Sequence, residues 1–494
     1  MMEEARERRN KKLQEQPPTG IMFDSRIDKH TLVMTKDEET KKSYPGVQAE
    51  DHYSITDADG NYLHHFTKPG KVTKDDEDDN EDEDDEENNV VEEQKSEAQQ
   101  TLEKKPAEQV ARIICDWIVN NGLDKTLTHL GADSTSSNTG WKKGVIAWIE
   151  KILGRKFHWL ICMLHTNELG LRKLMAELDG KTCSKTGFSG PLGKLLEKVN
   201  DMQPNFDFKK IELGPDLPEL PAKVESDLSR DQKVLYKRWK AVKTGILPKD
   251  VALYKPGPIV HSRWLTFADT FLQMYMSKHK LEGELLLRLE TIVTYIVSVY
   301  CPMWFRIKAN HSWLEGPRHI LTEMKLFQLQ PTSVQKILLP TLRRSAWFSH
   351  SEPLLSTMSC SEDKEERVFA SDMILKIRGK NKFGNTKPRP MKLPSLNLQA
   401  TRLQDMIDWT GAKEPVITCS LTKEQIKEIK EEPLKAAFYS LHTQGMERAV
   451  KETTSASGTV YGQERRDGLI CVTAENRQLM SALETKADFA NLVF

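Results

Sequence analysis

Residues 126–164 read TLTHLGADSTSSNTGWKKGVIAWIEKILGRKFHWLICML, and the fold is decided here. Residues 126–133 (TLTHLGAD) predict a short strand that ends in Asp133. Residues 138–153 carry apolar side chains at helical spacing, and Gly154 closes the segment. Residues 157–164 (FHWLICML) form a continuous apolar run between polar flanks, which suits a buried central strand.

Upstream, residues 107–120 place Val110, Ile113, Ile114, Trp117 and Ile118 at helical spacing before Gly122. Residues 19–34 hold two short apolar pieces around Asp24, as a strand with a polar interruption does. Residues 52–56 (HYSIT) and 61–67 (NYLHHFT) flank Asp57-Ala58-Asp59-Gly60, a hairpin signal. The resulting order, β-β-β-α-β-α-β, is that of an RNase H-like core. This predicts an α/β fold with a mixed five-stranded sheet and acidic residues on the first strand and just after the fourth. Asp24 and Asp133 fall at those two points.

Downstream, residues 165–350 read as mostly helical, with long helices at 262–280 and 281–305. The organisation predicted is a charged, disordered N-terminus (1–18), a first core part (19–170), an all-helical insertion (171–350) and a C-terminal part that completes the core (351–494). Residues 379–400 are basic, contain prolines and read as irregular, and helical patterns return at 422–431 and 442–455.

Composition bounds the function. Lys and Arg number 72 and Asp and Glu 73, but the acidity is clustered in residues 75–93 (DDEDDNEDEDDEENNVVEE), so the rest of the chain is positive. That tract reads as a disordered insertion within 75–100, able to attract basic nuclear proteins such as histones. Seven scattered cysteines without a CxxC pair point to a reducing compartment and away from disulfides or an ordinary zinc finger. The N-terminus shows no signal peptide, and the apolar run from Thr291 to Phe305 is short for a bilayer, so no membrane association is expected. Residues 6–12 (RERRNKK) are compatible with a nuclear import signal or with a plain solvated terminus.

Carboxylates clustered at adjacent strand ends are the protein contribution that two-metal phosphodiester chemistry needs, because Mg²⁺ takes hard oxygen ligands. Asp24 has Asp28 as a competitor and a surface aspartate as its plain alternative, and Asp133 has helix capping as its own.

The block formed by residues 131–140 (GADSTSSNTG), Gly154-Arg155 and residues 159–169 (WLICMLHTNEL) resembles a segment of hAT superfamily DNA transposases, and especially of a group of animal hAT-like proteins. There a catalytic aspartate precedes a C-x-x-H motif. The resemblance implies Asp133 as that aspartate and Cys162 and His165 as the supporting pair. Their alternative is a buried cysteine and a hydrogen-bonded histidine. Residues 21–29 (IMFDSRIDK) resemble the first-strand segment of that group, whose pattern is closer to W-D-G-K. Residues 261–264 (HSRW) resemble the R-W motif of the hAT helical insertion, which implies a phosphate contact from Arg263 and a base-stacking role for Trp264. A core tryptophan is the alternative.

The resemblance also implies a late glutamate, for which Glu447 is chosen, with Glu366 (in ERVF) and Glu352 as competitors. The activity implied is DNA strand cleavage and transfer with Mg²⁺ or Mn²⁺, in the nucleus, by a chain that acts alone or as a homo-oligomer. No BED-type zinc finger precedes Asp24, which favours a second expectation: a domesticated, catalytically inactive interaction protein.

Overall fold

The computed structural model describes residues 2–36, 42–58, 60–69, 106–180, 182–183, 187–216, 218–255, 264–380, 393–441, 450, 453–454 and 463–480. A five-stranded sheet is built from β1 (Gly20–Lys36), β2 (Ser43–Asp57), β3 (Tyr62–Pro69), β4 (His129–Ala132) and β5 (His158–Ile161), in the order β3-β2-β1-β4-β5. The β1–β2 and β2–β3 pairs are antiparallel, and β1–β4 and β4–β5 are parallel. The sheet is therefore mixed, as the sequence predicts, and its strands all lie before residue 162.

The β1–β2 hairpin is longer than the sequence suggests. β2 reaches back to Ser43 through Pro45 and Gly46, residues that depress a strand reading. They are tolerated because β3 joins β2 only from Glu50 onward, so Pro45 lies where β2 has β1 alone beside it.

One face of the sheet is apolar. Ile21, Phe23 and Ile55 are fully buried there, in one core with Val110, Ile114 and Ile118 of α2 (Pro106–Asn120) and Val145 and Ile149 of α3 (Val145–Leu153). The other face is polar. Glu50, His52, Ser54 and Thr56 alternate along β2, and all are buried beneath the returning C-terminal part. Arg466 of α13 (Gln463–Met480) donates to both oxygens of Glu50 at 3.1 and 2.8 Å, Asp467 meets His65 Nε2 at 3.1 Å, and Ser54 Oγ lies 2.9 Å from Thr453 Oγ1.

The charged N-terminus departs from the disorder expected for residues 1–18. Met2–Glu15 form helix α1, which packs on α13 and buries Leu13. Its Arg, Lys, Glu and Gln residues have good helix propensity, and α13 supplies the packing surface that the terminus alone lacks. The acidic tract at 75–93 lies outside the described residues, as do residues 381–392 of the basic stretch.

Helices fill most of the chain between β5 and Lys380: α4 (Met163–Asp179), α5 (Arg230–Thr244), α6 (Trp264–Tyr275), α7 (Gly283–Tyr295), α8 (Cys301–Ala309), α9 (Gly316–Gln328), α10 (Thr332–Arg344), α11 (Ser351–Ser359) and α12 (Lys364–Lys380). The region is not wholly helical, because Thr182–Cys183 and Gly187–Phe188 pair as a small antiparallel hairpin. Nor does it stop at 350, since α11 and α12 continue it.

Helices α7 and α8 are joined by a π turn at Ile296–Tyr300 into one rod from Gly283 to Ala309, longer than the apolar run predicts. Pro302 has no N–H for Ser298, and the widened turn absorbs this loss. The Trp239 indole N–H donates to Val297 O at 2.9 Å and Asn167 Nδ2 to Tyr300 O at 3.1 Å. The rod is long and apolar enough to cross a membrane by length and composition, yet here it packs against α4, α5, α6 and α9.

Candidate active site

The parallel pairing of β1 with β4 fixes the geometry. Its register runs Gly20↔His129, Ile21↔Leu130, Met22↔Gly131. Side chains two residues apart in a strand share a face, so Asp24 shares the face of Met22 within β1, while Asp133 follows Ala132, the last residue of β4. Neighbouring strands lie about 4.8 Å apart, and only Asp133 of the two marks a strand end, since β1 runs on from Asp24 to Lys36. Gly131 permits the close pairing: a Cβ there would stand 2.6 Å from Met22 Cγ and 3.2 Å from the Leu160 carbonyl oxygen.

Asp24 is half-buried, and its Oδ1 accepts from the Ser25 amide at 2.8 Å. Its partner across β2 is Ser54, the residue hydrogen-bonded to Thr453. The chain near Thr453 thus returns to the face that carries Asp24.

Asp133 begins a turn rather than capping a helix. Its Oδ1 accepts from Thr135 N at 3.1 Å, Thr135 Oγ1 at 2.7 Å and Asn138 Nδ2 at 2.7 Å. This leaves Oδ2 to face His165, whose Nδ1 is 3.9 Å away. The single helix predicted at 138–153 is broken here. Ser136–Thr139 make one short turn, and α3 starts only at Val145. Gly140 and Gly144 approach so closely that a Cβ on Gly144 would lie 2.5 Å from the Gly140 nitrogen, and this tight loop holds Asp133 at the strand end.

The C-x-x-H spacing has a plain structural cause. Cys162 is the N-cap of α4, and its Sγ accepts from the His165 backbone N–H at 3.5 Å. Cys162 is thus a buried cap, and the cap turns His165 back toward Asp133. Burial holds His165 below the ordinary imidazole value; Asp133 opposes that shift, and Arg172 and Arg344 reinforce it. Two cationic side chains therefore lie within electrostatic reach of the Asp133–His165 pair.

The other candidates divide. Glu447 and Arg263 lie outside the described residues. Glu352 is buried beside His158, the first residue of β5 and so at the opposite end of that strand from Cys162. Its Oε1 accepts from Val416 N at 3.2 Å, and burial raises its pKa to about 8. Both oxygens of Glu366 are taken by Arg318. Trp264 requires a correction. It is only 4 % exposed, packed at 4.6 Å centroid distance on Phe267 and with the Arg172 guanidinium 5.8 Å from its ring. An apolar residue opening an amphipathic helix goes to the core, and almost no ring surface is left for a base.

Sequence reasoning missed Arg172 and Arg344. Their signal is faint: Arg172 stands seven residues after His165, two helical turns on along the same face of α4. Among the described residues, no group of three or more His, Cys, Asp or Glu side chains is placed to hold a metal ion. No protein-family model matches the chain, and no curated protein matches it.

Proposed function

We propose that this chain is a nucleic-acid-processing protein with an RNase H-like core of the hAT transposase kind, acting on DNA strands with Mg²⁺ or Mn²⁺. The observation that carries the reading is the parallel β1–β4 pairing from Gly20↔His129 to Met22↔Gly131, which ends two residues before both Asp24 and Asp133. The strand order β3-β2-β1-β4-β5, three antiparallel strands followed by two parallel ones, supports it further. Asp24 and Asp133 would hold the metal through hard carboxylate oxygens. We assign the third position to Glu447, which precedes Thr453, the hydrogen-bond partner of Ser54, by six residues in the sequence.

When bound, the ions supply charge stabilisation for the attacking and leaving oxygens of a phosphodiester. The protein groups do the rest. The Asp133 loop fixes one carboxylate oxygen and presents the other. His165, held by burial below the ordinary imidazole value, stands 3.9 Å from that oxygen. Arg172 and Arg344 attract the DNA backbone.

A second reading has an observation of its own. Three hydrogen bonds within its own turn give Asp133 a structural role that needs no metal. In that case the chain binds DNA or protein without cutting. Incubating the full chain with labelled single-stranded and hairpin DNA in Mn²⁺ separates the two. Cleavage abolished by Asp24→Asn and by Glu447→Gln supports the enzyme. DNA binding without cleavage in wild type supports the binding protein, and absence of both removes the nucleic-acid reading.

A further inference from the structure

About 13 Å back along β1 from Asp24, where four residues rise about 3.3 Å each, the sheet opens into a cavity of about 570 Å³. That is within the usual range for small-molecule sites. It lies between α1, the start of β1, the β2–β3 turn and residues 437–439.

Its two walls differ in chemistry. One is cationic, with Arg8, Arg9 and Lys12, residues within one helical turn of each other on α1. The carboxylate on the lining, Asp57, is turned into its own hairpin and accepts from Asn61 N and Asn61 Nδ2, each at 2.8 Å. Arg9 is half-buried. Among the described residues its Nη1 finds only the weak acceptor Cys471 Sγ at 3.3 Å, its guanidinium stands 5.9 Å from the Tyr62 ring, and its buried Nε has no acceptor. A buried guanidinium N–H left unpaired is costly, and an anionic oxygen relieves that cost.

The other wall is aromatic and pre-set. Phe438 is 58 % exposed, an unusual state for a large apolar ring. It is held from one side by His311, which meets it edge-on at 5.3 Å. Its neighbours are pinned: Ala437 O accepts from the Trp313 indole at 2.8 Å, Tyr439 O accepts from Trp313 N at 2.8 Å, and the Tyr439 hydroxyl bonds Thr19 Oγ1. A supported ring with an open side, in one cavity with the unpaired Arg9 Nε, matches a ligand that joins a flat base to a phosphate.

We propose that this cavity is a nucleotide site, with the phosphate on Arg9 and Lys12 and the base against Phe438. The nucleotide is either a free mononucleotide or the 5′-phosphorylated end of a single strand. The site lies apart from Asp24 and Asp133 and does not depend on catalysis there.

The test is titration of the full chain with AMP, with a 5′-phosphorylated single-stranded octanucleotide, with its 5′-hydroxyl counterpart and with inorganic phosphate. Saturable binding of AMP or of the phosphorylated strand is expected. Phe438→Ala should weaken it about five- to hundredfold, the range for losing one base stack. Lys12→Ala should weaken it on the order of tenfold. Both side chains are exposed, so neither change threatens the fold, and Asp24→Asn should leave binding unchanged. AMP binding as tightly as the strand assigns a free nucleotide; a preference for the phosphorylated over the hydroxyl strand assigns a strand end. The proposal is overturned if neither nucleotide form binds at millimolar concentration, if Phe438→Ala and Lys12→Ala have no effect, or if inorganic phosphate binds as well as AMP.

Discussion

Replacing Asp133 by Asn separates the structural from the metal-binding role of this side chain. The amide keeps an acceptor at Oδ1 for Thr135 N, Thr135 Oγ1 and Asn138 Nδ2, but removes the charge from the oxygen that faces His165. Hydrogen bonds to charged groups contribute about 1.5–3 kcal/mol and neutral ones about 0.5–1.5 kcal/mol. Weakening this set in a partly solvated turn should therefore cost on the order of 1–2 kcal/mol without metal. Asp24→Asn should cost less, because the Asn oxygen still accepts from Ser25 N. With metal the signature differs. A ligand at a hundred times its Kd stabilises the folded chain by about 2.7 kcal/mol, and that increment should vanish in either variant. Urea unfolding followed by tryptophan fluorescence, with and without Mn²⁺, measures both effects. An equal Mn²⁺-induced gain in wild type and both variants would refute the assignment, and so would no gain in wild type.

Other expectations follow from the same structure. Arg238 and Asp269 form a buried pair at 2.6 Å, so Asp269→Ala should cost about 3–5 kcal/mol by stranding a guanidinium, whereas Arg238→Met with Asp269→Leu should cost much less. Equal losses in urea unfolding would contradict that. Gly131→Ala should cost about 1–3 kcal/mol, since Met22 can yield but the Leu160 carbonyl oxygen cannot; a neutral melting curve would mean that β4 moves freely. Burial holds His129 and His319 down to about 4, so both stay neutral in the folded chain while the unfolded chain takes up protons below about 6.5. Their contribution is complete above 6.5 and is lost as pH falls toward 4, by up to about 3 kcal/mol each. Glu352, raised to about 8, acts in the opposite sense, stabilising below its unfolded value and losing that contribution as pH rises through 8. A change in stability between pH 4 and 6.5 that is the same in wild type and in His129→Gln and His319→Gln variants would show that these histidines do not carry it.

Local patterns carried the centre of the molecule. The apolar run at 157–164, the 3.6-residue period at 107–120 and the short strand before Asp133 gave a correct sheet core, because burial on both faces or on one stripe leaves a direct trace in composition. What sequence could not show depended on distant partners. Helix α1 needs α13, and the first half of β2 needs the far half of β1 to offset Pro45 and Gly46. The break at Gly140–Gly144 sits inside a stretch whose apolar spacing alone reads as one helix. For the candidate site, strand order put Asp24 on the first strand and Asp133 just after the fourth, and the elements stand in that order. The purpose of Cys162 was not legible, since a cap and a metal-site cysteine share one spacing. Among the glutamates, three-dimensional placement shows Glu352 and Glu366 already engaged, and Glu447 lies outside the described residues.

The two faces of the sheet acquire their covers at different moments of synthesis. The apolar face, with Ile21, Phe23 and Ile55, is matched by α2, which emerges from the ribosome roughly 50 residues after β2. The polar face waits far longer, because Arg466 follows its partner Glu50 by 416 positions. At about 5–20 residues per second, that is on the order of 20–80 s of translation. A sheet left half-covered for so long is exposed to aggregation unless the waiting side tolerates water. Glu50, His52, Ser54 and Thr56 make it tolerant. The same arrangement delays the side chains near Thr453, so the face that carries Asp24 stays unfinished until that residue has been synthesised.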